Sequence, residues 1–159
     1  MKRTLDNRAF SRFEIGLCVI VLGTLAVVAL PHFVRAESDT RISACANQLE
    51  RLSQAFSYFQ ATNGYWPPDT VVGKLPPEMR SMLKSENPFE GETPIGGQYD
   101  YENKKDLGAI CIVIRGSDFI EPPTIEDAEA LDTYIDDGNL RSGNFRAVEG
   151  GYAYAFDRK

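Results

Sequence analysis

The chain has 159 residues and a formal net charge of −6. Residues 37–159 carry most of the acidity, with 12 Lys and Arg against 21 Asp and Glu, a net charge of −9. An acidic segment of this kind is a poor candidate for binding DNA, which requires a basic surface, so we expect no nucleic-acid partner. About 120 residues follow the N-terminal region, which is enough for one small domain.

The first nine residues, MKRTLDNRA, form a short basic leader with a net charge of +2. From Ile15 to Val34, 20 residues follow without a Lys, Arg, Asp or Glu. A helix of that length spans about 30 Å, one hydrocarbon core, whereas the apolar part of a cleaved secretory signal has about 7–15 residues. We therefore expect a transmembrane helix. Its N-terminus should lie in the cytoplasm, where the flanking cations are: Lys2, Arg3, Arg8 and Arg12.

Glu14 is an anomaly at the start of this apolar stretch, with Phe13 and Ile15 on either side. A carboxylate at such a place needs a cationic partner, and a free amine at Phe10 would supply one if the chain were cut before it. The alternative is that Glu14 lies in the headgroup layer and has no role. The spacing alone does not decide between them.

The segment Ala9-Phe10-Ser11-Arg12-Phe13-Glu14, the apolar stretch and Pro31 together resemble the N-terminus of type IV pilins and type II secretion pseudopilins. In that family a prepilin peptidase cuts before a Phe and methylates the new amine. A Glu four residues later pairs with the amine of a neighbouring subunit, and a Pro further along breaks the helix. The resemblance implies cleavage between Ala9 and Phe10, N-methylation of Phe10, and assembly through Glu14 and Pro31. Ala9 stands where the family usually has Gly, and Arg12 where an apolar residue is commoner.

The resemblance also implies a function, partners and a location. The chain would be a structural subunit of a type IV pilus-like or type II secretion pseudopilus filament. Its partners would be a prepilin peptidase, copies of itself or other pilin-like subunits, and an inner-membrane assembly platform. It would cross the cytoplasmic membrane once, with its head in the periplasm or on the cell surface. The alternative is a membrane-anchored periplasmic binding module that does not polymerise.

The expected fold class is α+β and pilin-like, with one long N-terminal helix, transmembrane in its first half, and an antiparallel sheet of about four strands on its outer half. After the leader (1–9) we expect a transmembrane or assembly helix (10–35) and a head (36–159). The head would contain a helix (36–62), a loop region (63–97), and a sheet with a short helix (98–159). Apolar residues at helical spacing predict the face that receives the sheet: Ile42, Cys45, Leu49, Leu52, Phe56 and Phe59.

Two hairpins and one helix are predicted in the last third of the chain. Alternation and turn residues place strands at 98–102 and 109–114, and again at 144–148 and 152–156. Thr124 is the expected N-cap of a helix that begins at Ile125, with Asp127 as the capping partner.

Cys45 and Cys111 invite two interpretations. Outside the cytoplasm a disulfide between them would join the helix to the sheet. However, Cys111 alternates with Ile110, Ile112 and Ile114, so if the isoleucines face the helix, Cys111 points away. The third cysteine, Cys18, is expected to be a small apolar-helix residue.

Oxygen-bearing side chains near the end of the predicted helix suggest a cation site formed by Asp132, Asp136, Asp137 and Asn139. Some pseudopilins carry calcium in the sheet region of the head, and Ca²⁺ prefers oxygen ligands in a turn. The alternative is an ordinary polar helix end closed by Gly138. We expect no other cofactor and no enzymatic activity, because the sequence has one histidine and no Cys/His cluster or phosphate-binding glycine loop.

Overall fold

The structure, a computed structural model, describes residues 12–83, 87–103 and 109–158. Two α-helices, a short 3-10 helix and four strands occur within these residues. In chain order they are α1 (Arg12–Asn63), the 3-10 helix (Pro77–Ser81), β1 (Gln98–Glu102), β2 (Ala109–Arg115), α2 (Ile125–Ile135), β3 (Phe145–Val148) and β4 (Gly151–Arg158). The class is therefore α+β with a four-stranded antiparallel sheet.

Helix α1 extends over 52 residues and its backbone stays helical through Pro31. It ends at Asn63 because Gly64 adopts a positive φ of 78°, a conformation that side chains disfavour. The N–H of Gly64 donates to the carbonyl oxygen of Gln60 at 2.8 Å and closes the last turn. Pro67 and Pro68 follow and prevent the helix from resuming.

The transmembrane prediction is wrong. Crossing a bilayer requires about 20 consecutive, mainly apolar residues in a helix. Within the described ranges, no helix reaches the combination of length and apolar character that this crossing requires. This finding overturns the transmembrane first half of the predicted fold and the single-pass location in the inner membrane.

The chain divides into two compact units, residues 1–39 and residues 40–159. The second unit contains the sheet, whose strand order is β1-β2-β4-β3 with every neighbouring pair antiparallel. The hairpin β1–β2 pairs Gln98 with Arg115 and Glu102 with Cys111. Strand β4 lies between β2 and β3, so β2 and β3 follow one another in sequence without being paired.

One face of the sheet forms the main core of the second unit. Ile110, Ile112 and Ile114 of β2 lie in the same buried cluster as Leu49 and Phe56 of α1. Phe56 stacks on Tyr101, with ring centroids 4.2 Å apart and planes inclined by 7°. Strand alternation thus directs the isoleucines to the α1 side of the sheet.

The other face of the sheet holds a second, smaller buried cluster: Ala109, Cys111, Val113, Ala153 and Ala155. Cys45 belongs to the first cluster and Cys111 to the second, so the proposed disulfide between them is wrong. Both thiols are free and buried. The physical reason is the alternation of β2, which places neighbours of the inward-facing isoleucines on the opposite face.

Helix α2 begins as its sequence predicts. The Thr124 hydroxyl oxygen accepts a hydrogen bond from the Asp127 backbone N–H at 3.1 Å, which confirms Thr124 as the N-cap. Ala128 and Leu131 are fully buried in the main core, and α2 contacts β3. This packing fixes the position of the C-terminal end of α2 and of the acidic residues that follow it.

Candidate functional site

The N-terminal part of α1 presents apolar side chains to solvent on every side. All residues from Phe13 to Val27 are exposed, and Phe13 and Val27 are 79% and 73% exposed. Other large apolar side chains in this group are Ile15, Leu17, Val19, Ile20, Val21, Leu22 and Leu25. A helix that is apolar all round is normally buried against other protein or lipid, so this stretch, which we call the apolar helix surface, requires a partner.

Glu14 lies in the first turn of α1 at the edge of the apolar helix surface, and it is exposed. It is the sole acidic residue between Arg12 and Ala36. The structure therefore places one anion at the beginning of an otherwise apolar surface.

The remaining residues of the predicted processing and assembly site are placed only in part. Ala9 and Phe10, between which cleavage is predicted, lie outside the described residues. Pro31 lies within the continuous backbone of α1. The structure thus describes Glu14 and the helix that carries it, and leaves the cleavage prediction as a prediction.

The predicted cation ligands lie at the end of α2 and in the loop after it. Asp137 Oδ1 accepts a hydrogen bond from the Asn139 N–H at 2.9 Å, and Asp137 Oδ2 accepts one from the Ser142 hydroxyl at 3.0 Å. Asp136 Oδ2 accepts from the Asn144 N–H, and Asn139 Oδ1 accepts from the Arg141 N–H. These oxygens are used to close the loop itself.

Asp132 differs from the other predicted ligands because it is fully buried. Among the described residues, neither of its carboxylate oxygens has a hydrogen-bond partner. Burial, followed by the nearby charges of Asp137 and Asp136, raises the pKa of the Asp132 carboxyl. Nowhere in the described chain are three or more His, Cys, Asp or Glu residues grouped so that they could hold a metal ion. The structure therefore gives the calcium prediction no support.

Cys45 takes part in a buried polar contact at the centre of the main core. Its Sγ lies 3.6 Å from the Tyr99 hydroxyl, which donates a hydrogen bond to Gln48 Oε1 at 2.9 Å. Burial raises the pKa of the Cys45 thiol to about 11, so the thiol stays protonated and is a poor nucleophile at neutral pH. This contact satisfies a buried tyrosine and gives no sign of redox chemistry.

Sequence reasoning missed a buried charge cluster on the second sheet face. Arg115 of β2 lies 3.0 Å from Asp100 and 2.6 Å from Glu102, two acids on β1. The alternation Tyr99-Asp100-Tyr101-Glu102 was a usable signal, because it puts both acids on one strand face and both tyrosines on the other. The cluster joins β1 to β2.

No protein-family model matches this sequence, and no curated protein matches it either.

Proposed function

We propose that this chain is a structural subunit of a filament of the type IV pilus or type II secretion pseudopilus kind. The observation that carries the proposal is the apolar helix surface, exposed on all sides from Phe13 to Val27, with the acid Glu14 at its beginning. Copies of the same helix packed together would bury these side chains against one another. The occupant of the apolar helix surface is thus a second copy of the chain or a pilin-like relative.

Charge explains why Glu14 would stand at that place. Cleavage between Ala9 and Phe10 by a prepilin peptidase would create a cationic terminus four residues before Glu14. In a filament the cationic terminus of a neighbouring copy would approach the acid from outside the helix. In an apolar contact this ion pair is desolvated, so it selects one axial register between helices.

Small residues on the same stretch support close packing of helices. A Cβ added to Gly16 or Gly23 would meet no described atom within 4 Å, and both positions are open on the helix surface. Glycine at a helix contact lets two backbones approach closely. The proposed role needs no active site, since a filament subunit works by burying its surface against its neighbours.

The test is co-expression of the full chain with an active prepilin peptidase. We expect mass spectrometry to find a mature chain that begins at N-methylated Phe10, and electron microscopy to find filaments. Glu14→Ala should leave cleavage intact and abolish filaments. Glu37→Ala removes another exposed acid from the same helix and should leave filaments unchanged. An intact Met1 terminus beside active peptidase, or filaments that survive Glu14→Ala, would contradict the proposal.

A further inference from the structure

Phe119 has the most exposed large apolar side chain among the described residues. Its side chain is 97% exposed, at the tip of a turn between Ser117 and Ile120. Two backbone hydrogen bonds close the turn, from the Ser117 N–H to the Ile120 carbonyl at 2.8 Å and from the Ile120 N–H to the Ser117 carbonyl at 3.3 Å. The turn is therefore ordered, and it holds a large apolar ring in water, which is unfavourable unless a partner covers the ring.

The residues beside this ring are acidic. Asp118 precedes it and Glu121 follows shortly after, and both are exposed. In the described part of the chain neither carboxylate has a cationic partner. We call Asp118, Phe119 and Glu121 the acidic knob. A surface that receives the acidic knob must offer an apolar recess with positive charge at its rim.

The same unit carries a recess of that kind. A groove of about 380 Å³ is lined by Val71, Lys74, Leu75, Pro77, Arg80 and Glu90, among other residues, and we call it the basic groove. Val71 is exposed, and Leu75 and Pro77 contribute further apolar surface. Lys74 and Arg80 are both exposed, and neither forms an ion pair with any described residue. Glu90 reduces the positive charge without cancelling it.

We propose that the acidic knob of one copy docks into the basic groove of the next copy. Two exposed acids beside an aromatic anchor complement two exposed cations beside an apolar groove. This charge match, in a unit that is otherwise strongly acidic, singles out a second copy as the occupant. When each copy uses its acidic knob on one neighbour and its basic groove on another, the contact is heterologous. Repeated heterologous contacts form a ring if the rotation closes and an open helical assembly if it does not. The inference deepens the proposed function and rests on it for the identity of that assembly.

The contact is expected to be weak by itself. One aromatic anchor with a few rim charges buries less surface than the roughly 1,200 Å² of a stable pairwise interface. In a filament already held by helices, the second contact becomes intramolecular, and its effective concentration compensates for the low affinity. The acidic knob would then fix the rotation angle between successive copies in the filament.

Cross-linking of the full chain tests the contact. Ser117→Cys and Val71→Cys are made separately in a Cys18→Ser background, mixed, and treated with a short bis-maleimide. We expect dimers that contain one chain of each variant, and few dimers when either variant is treated alone. Phe119→Ser added to the Ser117→Cys chain should lower the yield about tenfold, as loss of an anchor residue does. Tyr134→Ser, which removes another exposed aromatic, should not change it.

Charge reversal tests the complementarity. Lys74→Glu with Arg80→Glu should abolish the cross-link, and Asp118→Lys with Glu121→Lys on the other chain should restore it. Arg51→Glu with Arg141→Glu makes the same change in net charge at other exposed positions and should have no effect. Circular dichroism of every variant verifies folding.

Electron microscopy of the same samples separates the two proposals. Filaments without the mixed cross-link, or cross-links that reversal does not affect, overturn the knob-in-groove contact and leave the proposed function standing. A charge-dependent mixed cross-link without filaments supports the contact and overturns the filament. Equal cross-linking of each variant with itself also overturns the contact, because the pairing would then be knob to knob or groove to groove.

Discussion

Arg115 forms an ion pair with Glu102, with the guanidinium Nη2 2.6 Å from the carboxylate Oε1. The Nε atom of Arg115 lies 3.0 Å from Oδ2 of Asp100, and its Nη1 donates to the carbonyl oxygen of Glu149 at 2.9 Å. Side-chain exposure is 6% for Asp100 and 4% for Glu102. One guanidinium therefore forms ion pairs with two buried acids of β1 and donates a hydrogen bond to the turn that precedes β4.

Arg115→Met is expected to lower the free energy of unfolding by about 3–5 kcal/mol, because it leaves buried carboxylates without their cation. Urea unfolding followed by circular dichroism measures the change. Arg141→Met, at an exposed position, is the control and should stay within about 0.5 kcal/mol of the parent. A loss below about 1 kcal/mol in the Arg115 variant would mean that water already screens the cluster.

Phe56→Ala is expected to destabilise the second unit by about 3–5 kcal/mol, since it removes a fully buried ring that stacks on Tyr101. The matched control is Tyr58→Ala, which removes an aromatic ring that is 66% exposed from the same helix. Thermal unfolding should separate the two variants clearly. Equal losses would show that the core does not depend on this stacked pair.

Asp132→Asn is expected to stabilise the protein near neutral pH. The pKa of Asp132 is raised in the folded state by burial and then by Asp137 and Asp136, so the folded chain retains a proton that the unfolded chain releases. The free energy of unfolding therefore falls as the pH rises from the ordinary Asp value through the raised one. The asparagine variant carries no proton to lose and should not show this decline.

Melting curves recorded between pH 4 and pH 8 in buffer with a chelator measure that difference. The chelator removes any contribution from a bound cation. Asp39→Asn, at an exposed position on α1, should retain the decline of the parent. A parent curve with the same melting temperature throughout, or an identical decline in the Asp132 variant, would contradict the assignment to this carboxyl.

Thiol counting checks the separation of Cys45 from Cys111. Under denaturing conditions without reductant, all three cysteines should react with a thiol reagent, because the three are free. In the native protein Cys45 and Cys111 should react slowly, since burial raises the pKa of each thiol to about 11. Cys18→Ser should lower the denatured count by one. A denatured count of one in the parent would show that the two buried cysteines are bridged.

The strands of the second unit could be located from the sequence because local patterns determine them. Ile110, Ile112 and Ile114 alternate with smaller residues, and the turn residues around Gly150 end one strand and begin the next. The helical stripe from Ile42 to Phe59 likewise predicts the α1 face that packs on the sheet, and all of its members are buried. Short-range periodicity is enough for such assignments.

The features that the sequence did not predict depend on contacts between residues that are far apart in the chain. The pairing of Gln98 with Arg115 brings the Arg115 guanidinium to Asp100 and Glu102, and no local pattern specifies that register. The burial of Asp132 depends on how α2 packs. The alternation along β2 puts Cys111 opposite the isoleucines, but it does not say which of the two faces packs on α1.

The position of β4 has a consequence for biosynthesis. It is the last of the four strands in chain order, yet it pairs with both β2 and β3. A nascent chain can form the β1–β2 hairpin early, but β3 has no partner until residues 151–158 leave the ribosome. During that interval the sheet lacks two of its four strands, so the apolar face of α1 from Ile42 to Phe59 is only partly covered.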